Sequence, residues 1–276
     1  MASQTPVVGI CEDRRCDRRG DTSRKVWYCK ACASCLCDVC WDLSPIHSAP
    51  GALRHEKLEY REYLLCNRLE RILNPPTDQD ELEKLHDEDI NTTWFGIERF
   101  EDGKPFLQDF EMFSHVMANT PDPDRTKYPQ LVSFVGETSA GKSTLVKLLI
   151  DHEESKDDPE AVARFASPVA GSRVNDSVPT SADVHLYNDP ATWAAERPIL
   201  YADCEGLNAG ERVPLGAHGK RIARLDNSRR LGLVVRNLEW ANSDETRTRQ
   251  YAVTHIYPRL LYTFSDVVVF VLRNPK

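Results

Sequence analysis

The feature that most constrains the fold of this chain is an octet that fits the pattern G-x-x-x-x-G-K-S/T. It consists of Gly136, Glu137, Thr138, Ser139, Ala140, Gly141, Lys142 and Ser143. The apolar run at residues 131–135 predicts a buried strand before it, and leucines at helical spacing predict a helix over residues 142–150. A strand, a loop of this pattern and a helix, in that order, are the context expected of a phosphate-binding loop.

The composition of the octet suits the binding of a polyphosphate. Glycines let backbone N–H groups turn inward around the anion, and the following helix presents its positive end to the same anion. We expect Lys142 to reach the β- and γ-phosphates, Ser143 to hold Mg²⁺, and Thr144 to complete the nucleotide-binding stretch. The alternative is a turn that binds nothing, and the flanking strand and helix argue against it.

Length, charge and hydropathy exclude several classes of protein. A chain of 276 residues allows about two domains. Its net charge of -8 argues against a protein that coats nucleic acid or anionic membrane, so we expect no nucleic-acid partner. The start of the chain lacks a secretory signal pattern, and the apolar run at residues 267–272 is too short to cross a bilayer. We therefore expect a cytoplasmic protein without a transmembrane segment.

The first 55 residues carry four pairs of cysteines or histidines at metal-ligand spacing. Seven of the nine cysteines lie between Cys11 and Cys40, which favours metal ligation in a reducing cell over a disulfide framework. Four pairs in this order suit two interleaved, closed and therefore structural Zn²⁺ sites, with pairs one and three on one ion and pairs two and four on the other. The first predicted set is Cys11, Cys16, Cys37 and Cys40, and the second is Cys29, Cys32, His47 and His55.

This arrangement resembles the B-box zinc finger over about residues 8–58, and we assign residues 1–58 to a B-box-like double zinc module. The chain departs from that pattern in the long gap between Cys11 and Cys16. It also has an extra thiol at Cys35, which makes Cys32 and Cys35 a competing pair and leaves the register of the second site open. B-boxes are usually interaction modules, so the resemblance implies a protein partner or self-association and no chemistry.

Residues 59–124 are interpreted as a helical and acidic linker that contains a β-hairpin. Apolar residues on one face predict a helix over residues 56–74, and Pro75 and Pro76 end it. Residues 76–124 hold 14 acidic against 3 basic side chains, and we prefer a solvated face to an acidic docking surface.

Two further elements are predicted inside this acidic stretch. Residues 94–100 and 105–106 flank Asp102 and Gly103, which predicts a β-hairpin. Apolar residues between Leu107 and Met117 then predict an amphipathic helix. From residue 207 to 260 the chain has a basic insertion, which could contact nucleic acid, anionic lipid or the acidic segment at residues 76–124. We favour the acidic segment, because this contact neutralises opposite charges without an outside partner.

A second motif, D-x-x-G, begins 60 residues after Ser143, at the end of a strand predicted over residues 198–202. Its Asp203 is expected to bind Mg²⁺ through a water, and the backbone N–H of Gly206 to sense the γ-phosphate. Between the motifs, Thr180 is the candidate to complete the Mg²⁺ shell, with Ser177 and Ser181 as alternatives. The candidate catalytic residues are thus Lys142, Thr180, Asp203 and Gly206, and the Mg²⁺ ligands are Ser143, Thr180 and Asp203.

With these motifs, residues 130–276 resemble the large GTPases of the dynamin and guanylate-binding type. The octet, with Ser139 at its centre, is similar to the dynamin loop, and residues 203–207 are similar to the D-x-E-G-L of guanylate-binding proteins. The resemblance implies an α/β P-loop fold with a mixed, mostly parallel sheet and helices on both faces. It also implies Mg²⁺-dependent GTP binding and homo-oligomers formed through the G domains. Leu207 stands where small GTPases carry a water-orienting Gln, so hydrolysis must use another group, a dimer partner or an ordered backbone.

We therefore expect a GTPase whose zinc module binds a protein partner. The alternatives are a scaffold that holds nucleotide without turnover and a B-box adaptor protein. GTPases read guanine with an N/T-K-x-D motif, and residues 274–276 lack its Asp. Residues 125–276 are thus expected to be the N-terminal part of a P-loop GTPase domain, and the choice between guanine and adenine stays open.

Overall fold

Two β-sheets organise the computed structural model of the chain. It describes residues 10–17, 21, 25–48, 55–74, 78–121, 126–154, 164–171, 181–208, 211–212, 214 and 234–273. Thr180, Ser177 and residues 274–276 lie outside the described residues, as do five of the ten basic residues of the insertion. The chain divides into two units, residues 1–71 and 72–276.

The first unit holds a small antiparallel sheet with the strand order β2-β1-β3. Its elements are β1 (Val26–Cys29), β2 (Ser34–Cys37), α1 (Asp38–Leu43), α2 (Pro45–Ser48), β3 (Lys57–Glu59) and α3 (Tyr60–Leu73), the last of which runs past the unit boundary. The helix predicted over residues 56–74 is confirmed, but it begins only at Tyr60. Residues 57–59 pair with β1 instead, for example Glu59 with Trp27.

The second unit is built on a seven-stranded sheet with the order β10-β6-β8-β7-β4-β5-β9. Its elements, in chain order, are α4 (Gln79–Asp89), a 3-10 turn (Ile90–Thr92), β4 (Thr93–Arg99), β5 (Pro105–Asp109), α5 (Met112–Ala118), β6 (Gln130–Gly136), α6 (Lys142–Glu154), β7 (Val184–Asn188), β8 (Ile199–Cys204), β9 (Val234–Asn237), α7 (Arg249–Tyr251), a π-helical segment (Ala252–Ile256), α8 (Tyr257–Phe264) and β10 (Val267–Val271). The strands and the helix predicted around the octet and before D-x-x-G are confirmed as β6, α6 and β8.

The larger sheet is mixed, and the expectation of a mostly parallel sheet is wrong. Only the neighbouring pairs β10–β6 and β6–β8 are parallel, whereas β7, β4, β5 and β9 join through antiparallel pairs. The connection between β7 and β8 spans only residues 189–198. A parallel crossover needs about a dozen residues or more, so a link this short favours an antiparallel pair.

The predicted hairpin is confirmed, and it belongs to the larger sheet. Strands β4 and β5 pair around Asp102 and Gly103, β4 also pairs with β7, and β9 from the insertion pairs with β5. Leu107, expected in a helix, lies in β5, and the helix after it begins at Met112. Helix α4 was not predicted. Its first turn is capped by Asp78, whose Oδ1 accepts hydrogen bonds from the N–H groups of Asp80 and Glu81 at 2.9 and 3.1 Å.

Apolar side chains cover both faces of the larger sheet. One face packs Leu131, Leu200 and their neighbours against the stretch from the π-helical segment to α8. The other face packs Phe134 and Tyr201 against α6 through Val146 and Ile150. The second unit is therefore an α/β structure with helices on both sides of the sheet. None of the described helices is long and apolar enough to cross a membrane.

Candidate functional sites

The octet forms a tight loop between β6 and α6. Gly136 at its start lies so close to β10 that a Cβ there would stand 2.0 Å from the carbonyl oxygen of Val271. Ser139 and Gly141 both have positive φ angles, 60° and 96°. This backbone conformation costs glycine little and is uncommon for other residues. Gly136 and Gly141 thus allow the chain to reverse over a short distance before α6 begins at Lys142.

Lys142 turns its side chain back into this loop. Its ammonium donates hydrogen bonds to the carbonyl oxygens of Gly136 at 3.1 Å and Glu137 at 2.8 Å. Only 5% of Lys142 is exposed. Burial lowers the pKa of Lys142, and the carboxylate of Asp203 partly opposes this shift. The loop therefore holds a desolvated cation, which would bind an anion more strongly than an exposed lysine could.

The D-x-x-G segment lies directly beside the octet. The N–H of Leu207 donates to the carbonyl oxygen of Gly136 at 2.9 Å, and the N–H of Thr138 donates to the carbonyl oxygen of Leu207 at 3.0 Å. A Cβ on Gly206 would stand 2.4 Å from the Cα of Thr138, so only glycine fits there. The structure thus brings together two motifs that are 60 residues apart in the sequence.

Three oxygen-bearing side chains meet next to Lys142. The hydroxyl of Ser143 donates to Oδ2 of Asp203 at 2.6 Å, and the hydroxyl of Ser181 donates to the same oxygen at 3.2 Å. The two hydroxyl oxygens are 3.1 Å apart. Asp203 is fully buried. Ser181 is one of the two alternatives to Thr180. Of these three candidates, it is the one within the described residues, and it contacts both Ser143 and Asp203. Hydroxyl and carboxylate oxygens are the ligands that Mg²⁺ prefers, so this donor set fits the ion.

A buried ion pair that the sequence analysis missed begins two residues after Asp203, at Glu205. Glu205 is 1% exposed, and the guanidinium of Arg249 binds both of its carboxylate oxygens. The N–H of Asp183 donates to Oε2 of Glu205 at 2.9 Å, and the hydroxyl of Tyr257 donates to Oδ1 of Asp183 at 3.0 Å. Burial raises the pKa of Glu205, and Arg249 partly opposes this shift. Arg249 belongs to no motif, so nothing in the sequence marks it.

In the first unit, the four cysteines of the first predicted set converge. Cys37 ends β2 and Cys40 lies in α1, whereas Cys11 and Cys16 flank a turn in which the N–H of Cys16 donates to the carbonyl oxygen of Asp13 at 3.1 Å. The Sγ atoms of Cys16 and Cys37 are 4.0 Å apart. All four side chains are buried, and their sulfur atoms lie within 4.8 Å of one another.

The second predicted set also converges, and it is more exposed than the first. Nδ1 of His55 lies 3.2 Å from the Sγ atoms of both Cys29 and Cys32, and Nε2 of His47 lies 3.5 Å from Sγ of Cys32. The ring of His47 stacks on Trp41 at 4.3 Å between centroids. Cys35 belongs to neither cluster of described residues, so Cys29 and Cys32 form the pair at this site.

The spacing of these ligand atoms fits zinc. Zn–S distances of about 2.3 Å and Zn–N distances of about 2.0–2.1 Å put the ligand atoms of a tetrahedral site about 3.3 to 3.8 Å apart. The separations of 3.2, 3.5 and 4.0 Å bracket this range. None of the cysteines whose side chains are described is in a disulfide. Burial and the neighbouring thiols raise the pKa of Cys40, a cost that a bound cation would remove. The two clusters can therefore each hold a metal ion.

Comparisons of the chain with known protein families, with curated proteins and with solved structures found no match.

Proposed function

We propose that the second unit binds a nucleoside triphosphate with Mg²⁺ at the octet and hydrolyses it, with GTP as the expected nucleotide. The observation that carries the proposal is the convergence of Lys142, Ser143, Ser181 and Asp203 from three separate segments onto one place. Burial of a lysine beside a buried aspartate costs desolvation free energy, and a loop that bound nothing would gain nothing from it. The preference for guanine rests on the resemblance to large GTPases alone.

The side chains divide the work of binding between them. Lys142 would exchange the carbonyl oxygens of Gly136 and Glu137 for the β- and γ-phosphates, because the ammonium is already desolvated and aimed into the loop. Ser143 and Asp203 would hold Mg²⁺, with Ser181 beside them. When bound, the ion would neutralise charge on the two terminal phosphates.

The hydrolytic step needs a group that orients water, and Leu207 cannot serve. Its side chain packs against the apolar core of the sheet. The backbone N–H of Gly206 remains as the group that would meet the terminal phosphate, because the absence of a side chain lets it approach the loop closely. A scaffold that binds nucleotide without turnover is the competing function. Multiple-turnover release of phosphate separates the two.

Substitution of Lys142 tests the binding site. We expect Lys142→Ala to abolish binding of a fluorescent triphosphate, since the lysine supplies the full positive charge inside the loop. Lys147→Ala is the matched control, because Lys147 lies on the same helix but contacts Ser167 and Asp151 instead. Asp203→Ala should mainly weaken the Mg²⁺ dependence of binding. Equal affinity for wild type and Lys142→Ala would show that the octet is not the binding site.

For the first unit we propose a structural module that holds two zinc ions and binds a protein partner. The fit of both ligand clusters to tetrahedral spacing supports the zinc. Each cluster supplies four protein ligands, which leaves no open position for catalysis and suits a structural role. The role in protein binding rests on the resemblance to B-boxes.

Metal analysis of the full chain tests the zinc. We expect two zinc ions per chain, and a clear value of zero or one contradicts the assignment. Cys37→Ser should lower the zinc content, because it removes a ligand of the first cluster. Cys35→Ser is the matched control, because Cys35 lies two residues away on the same strand and outside both clusters.

A further inference from the structure

A buried charge cluster connects the two segments that meet at the octet. Arg249 binds Glu205 through both Nε and Nη2, with Nε 3.1 Å from Oε1. The same Nη2 lies 3.8 Å from Oδ1 of Asp183. Glu205 and Asp183 are each 1% exposed. One guanidinium therefore faces two buried carboxylates, which would repel each other without it.

The two carboxylates belong to the two segments that surround the proposed nucleotide site. Glu205 lies between Asp203 and Gly206, the residues expected to act on Mg²⁺ and the γ-phosphate. Asp183 lies two residues after Ser181, whose hydroxyl reaches Asp203 at 3.2 Å. The segments also bind each other, since the N–H of Glu205 donates to the carbonyl oxygen of Asp183 at 2.9 Å. Movement of one segment would thus disturb the other through Arg249.

The surroundings hold Asp183 in a conformation that it would not adopt alone. Its φ angle is 69°, in the left-handed region. The Cβ that Gly96 lacks would stand 2.5 Å from the carboxyl carbon of Asp183, so only a glycine in β4 leaves room for this side chain. Tyr257 donates to the Asp183 carboxylate and accepts the N–H of Ile97 at 2.9 Å. Such a strained residue persists only where its neighbours fix it, and strain of this kind is common at functional sites.

A second contact joins the same parts of the chain. Oε1 of Glu211 accepts the N–H of Gln250 at 2.8 Å, next to Arg249, and its Oε2 lies 3.1 Å from Nη2 of Arg99. The stretch after Asp203 is therefore attached at two points, Glu205 and Glu211, to the start of α7. Burial alone would lower the pKa of Arg249, but the two carboxylates outweigh it and raise the pKa, so the guanidinium stays charged.

We propose that Arg249 is a positioning residue that couples the Gly206 segment to the Ser181 segment, so that the site distinguishes a nucleoside triphosphate from a diphosphate. This inference rests on the proposed function of the octet. A γ-phosphate would meet both segments, whereas a diphosphate is held by the octet and Lys142 alone. With Arg249 in place, a contact of the γ-phosphate with one segment also holds the other segment in its binding position. Both contacts then contribute to the affinity for the triphosphate.

The test compares affinities of the full chain for guanosine diphosphate and for a non-hydrolysable triphosphate analogue, both with Mg²⁺. Arg249→Lys keeps the charge but loses the two-pronged contact with Glu205. We expect it to weaken triphosphate binding roughly tenfold and to change diphosphate binding by less than about twofold. Arg259→Ala is the control, because Arg259 is an exposed arginine in α8. It should change neither affinity.

The ratio of the two affinities separates positioning from a general loss of fold. Diphosphate binding reports the fraction of protein with an intact octet. Equal weakening of both ligands, or no change in either, overturns the role of Arg249. If Arg249→Lys does not fold, the double variant Glu205→Gln/Arg249→Met removes both partners of the ion pair, and the same change in the ratio is expected. If wild type binds neither nucleotide, or if Lys142→Ala binds both normally, the proposed function fails instead.

Discussion

The two units of the chain bury different kinds of side chain. In the first unit, five of the eight residues in the buried cluster are cysteines: Cys11, Cys16, Cys29, Cys37 and Cys40. In the largest cluster of the second unit, one of fourteen residues is a cysteine, and the others are apolar or aromatic. The second unit can therefore be stabilised by burial of apolar surface, whereas the first has less of it, and the zinc ions that we propose for it would supply further stability.

This difference in buried side chains indicates that the two units draw their folding free energy from different sources. In a small module whose core is made of thiols, binding of the metal is itself most of the folding free energy. In the sheet unit, a ligand at the octet adds to a structure that is already formed. The two units should thus respond differently to metal removal, to a cavity in the core and to acid.

Removal of zinc should have the largest effect, and it should be confined to the first unit. We expect a high-affinity chelator to abolish hydrogen-exchange protection in β1 and β2, because the buried thiols would lose the zinc that we propose they bind. Strands β6 and β8 should keep their protection, and added zinc should restore that of β1 and β2. Protected β1 and β2 in metal-free protein would show that the first unit folds without metal.

A cavity in the core should have the next largest effect, and it should be confined to the second unit. Leu200 in β8 is fully buried. We expect Leu200→Ala to lower the free energy of unfolding of the sheet by about 2–5 kcal/mol, the usual cost of such a cavity. Denaturant unfolding, followed by hydrogen exchange of the sheet strands, measures this loss of stability. The zinc content should not change. Leu36→Ala in β2 is the matched control and should leave the unfolding of the sheet unaltered.

Acid should reveal a smaller difference at Glu211. Partial burial alone would raise its pKa, but the N–H of Gln250 and the guanidinium of Arg99 outweigh it and lower the pKa below 4.5. A carboxylate with a lowered folded pKa stabilises the fold above its unfolded pKa and loses that contribution as the pH falls through the folded value.

Glu211→Gln should therefore lower the stability of the second unit near neutral pH, and this difference from wild type should shrink as the pH falls below 4.5. We expect at most about 1 kcal/mol, because half of the Glu211 side chain is exposed. Denaturant unfolding of wild type and Glu211→Gln across this pH range measures the difference in stability. A difference that stays constant with pH would mean that the charge of Glu211 does not contribute. The first unit should lose its fold in acid equally in both proteins, because protonation of thiolates releases metal.

The sequence predicted those parts of the structure that depend on spacing along the chain. Ligand pairs three to eight residues apart can be recognised locally, and so can a glycine-rich turn between an apolar strand and a helix. These patterns placed β6, α6, β8 and both ligand clusters. The alternative pair of Cys32 with Cys35 could not be resolved by spacing, because it depends on the face of β2 that Cys35 occupies relative to Cys32 in the turn before the strand.

Features that depend on distant contacts were not predicted. The hairpin of β4 and β5 was recognised, but its place in the larger sheet depends on pairing with β7, about ninety residues later. Arg249 is 44 residues from Glu205, and no local pattern links the two. Helix α4 was interpreted as part of an acidic linker because its charges outweigh its apolar residues. The direction of β7 relative to β8 followed from the length of a loop, which composition does not reveal.

The π-helical segment at Ala252–Ile256 fixes the rotational phase between the two residues that reach Asp183. Arg249 and Tyr257 are eight residues apart, and in an uninterrupted α-helix, at about 100° per residue, they would point about 80° apart around the axis. The wider i→i+5 turn advances less per residue and rotates Tyr257 back toward the side of Arg249. The number of residues between them therefore sets whether both side chains can reach Asp183. Removal of a single residue from this segment would turn one partner away from Asp183 while leaving every side chain of the cluster in the sequence.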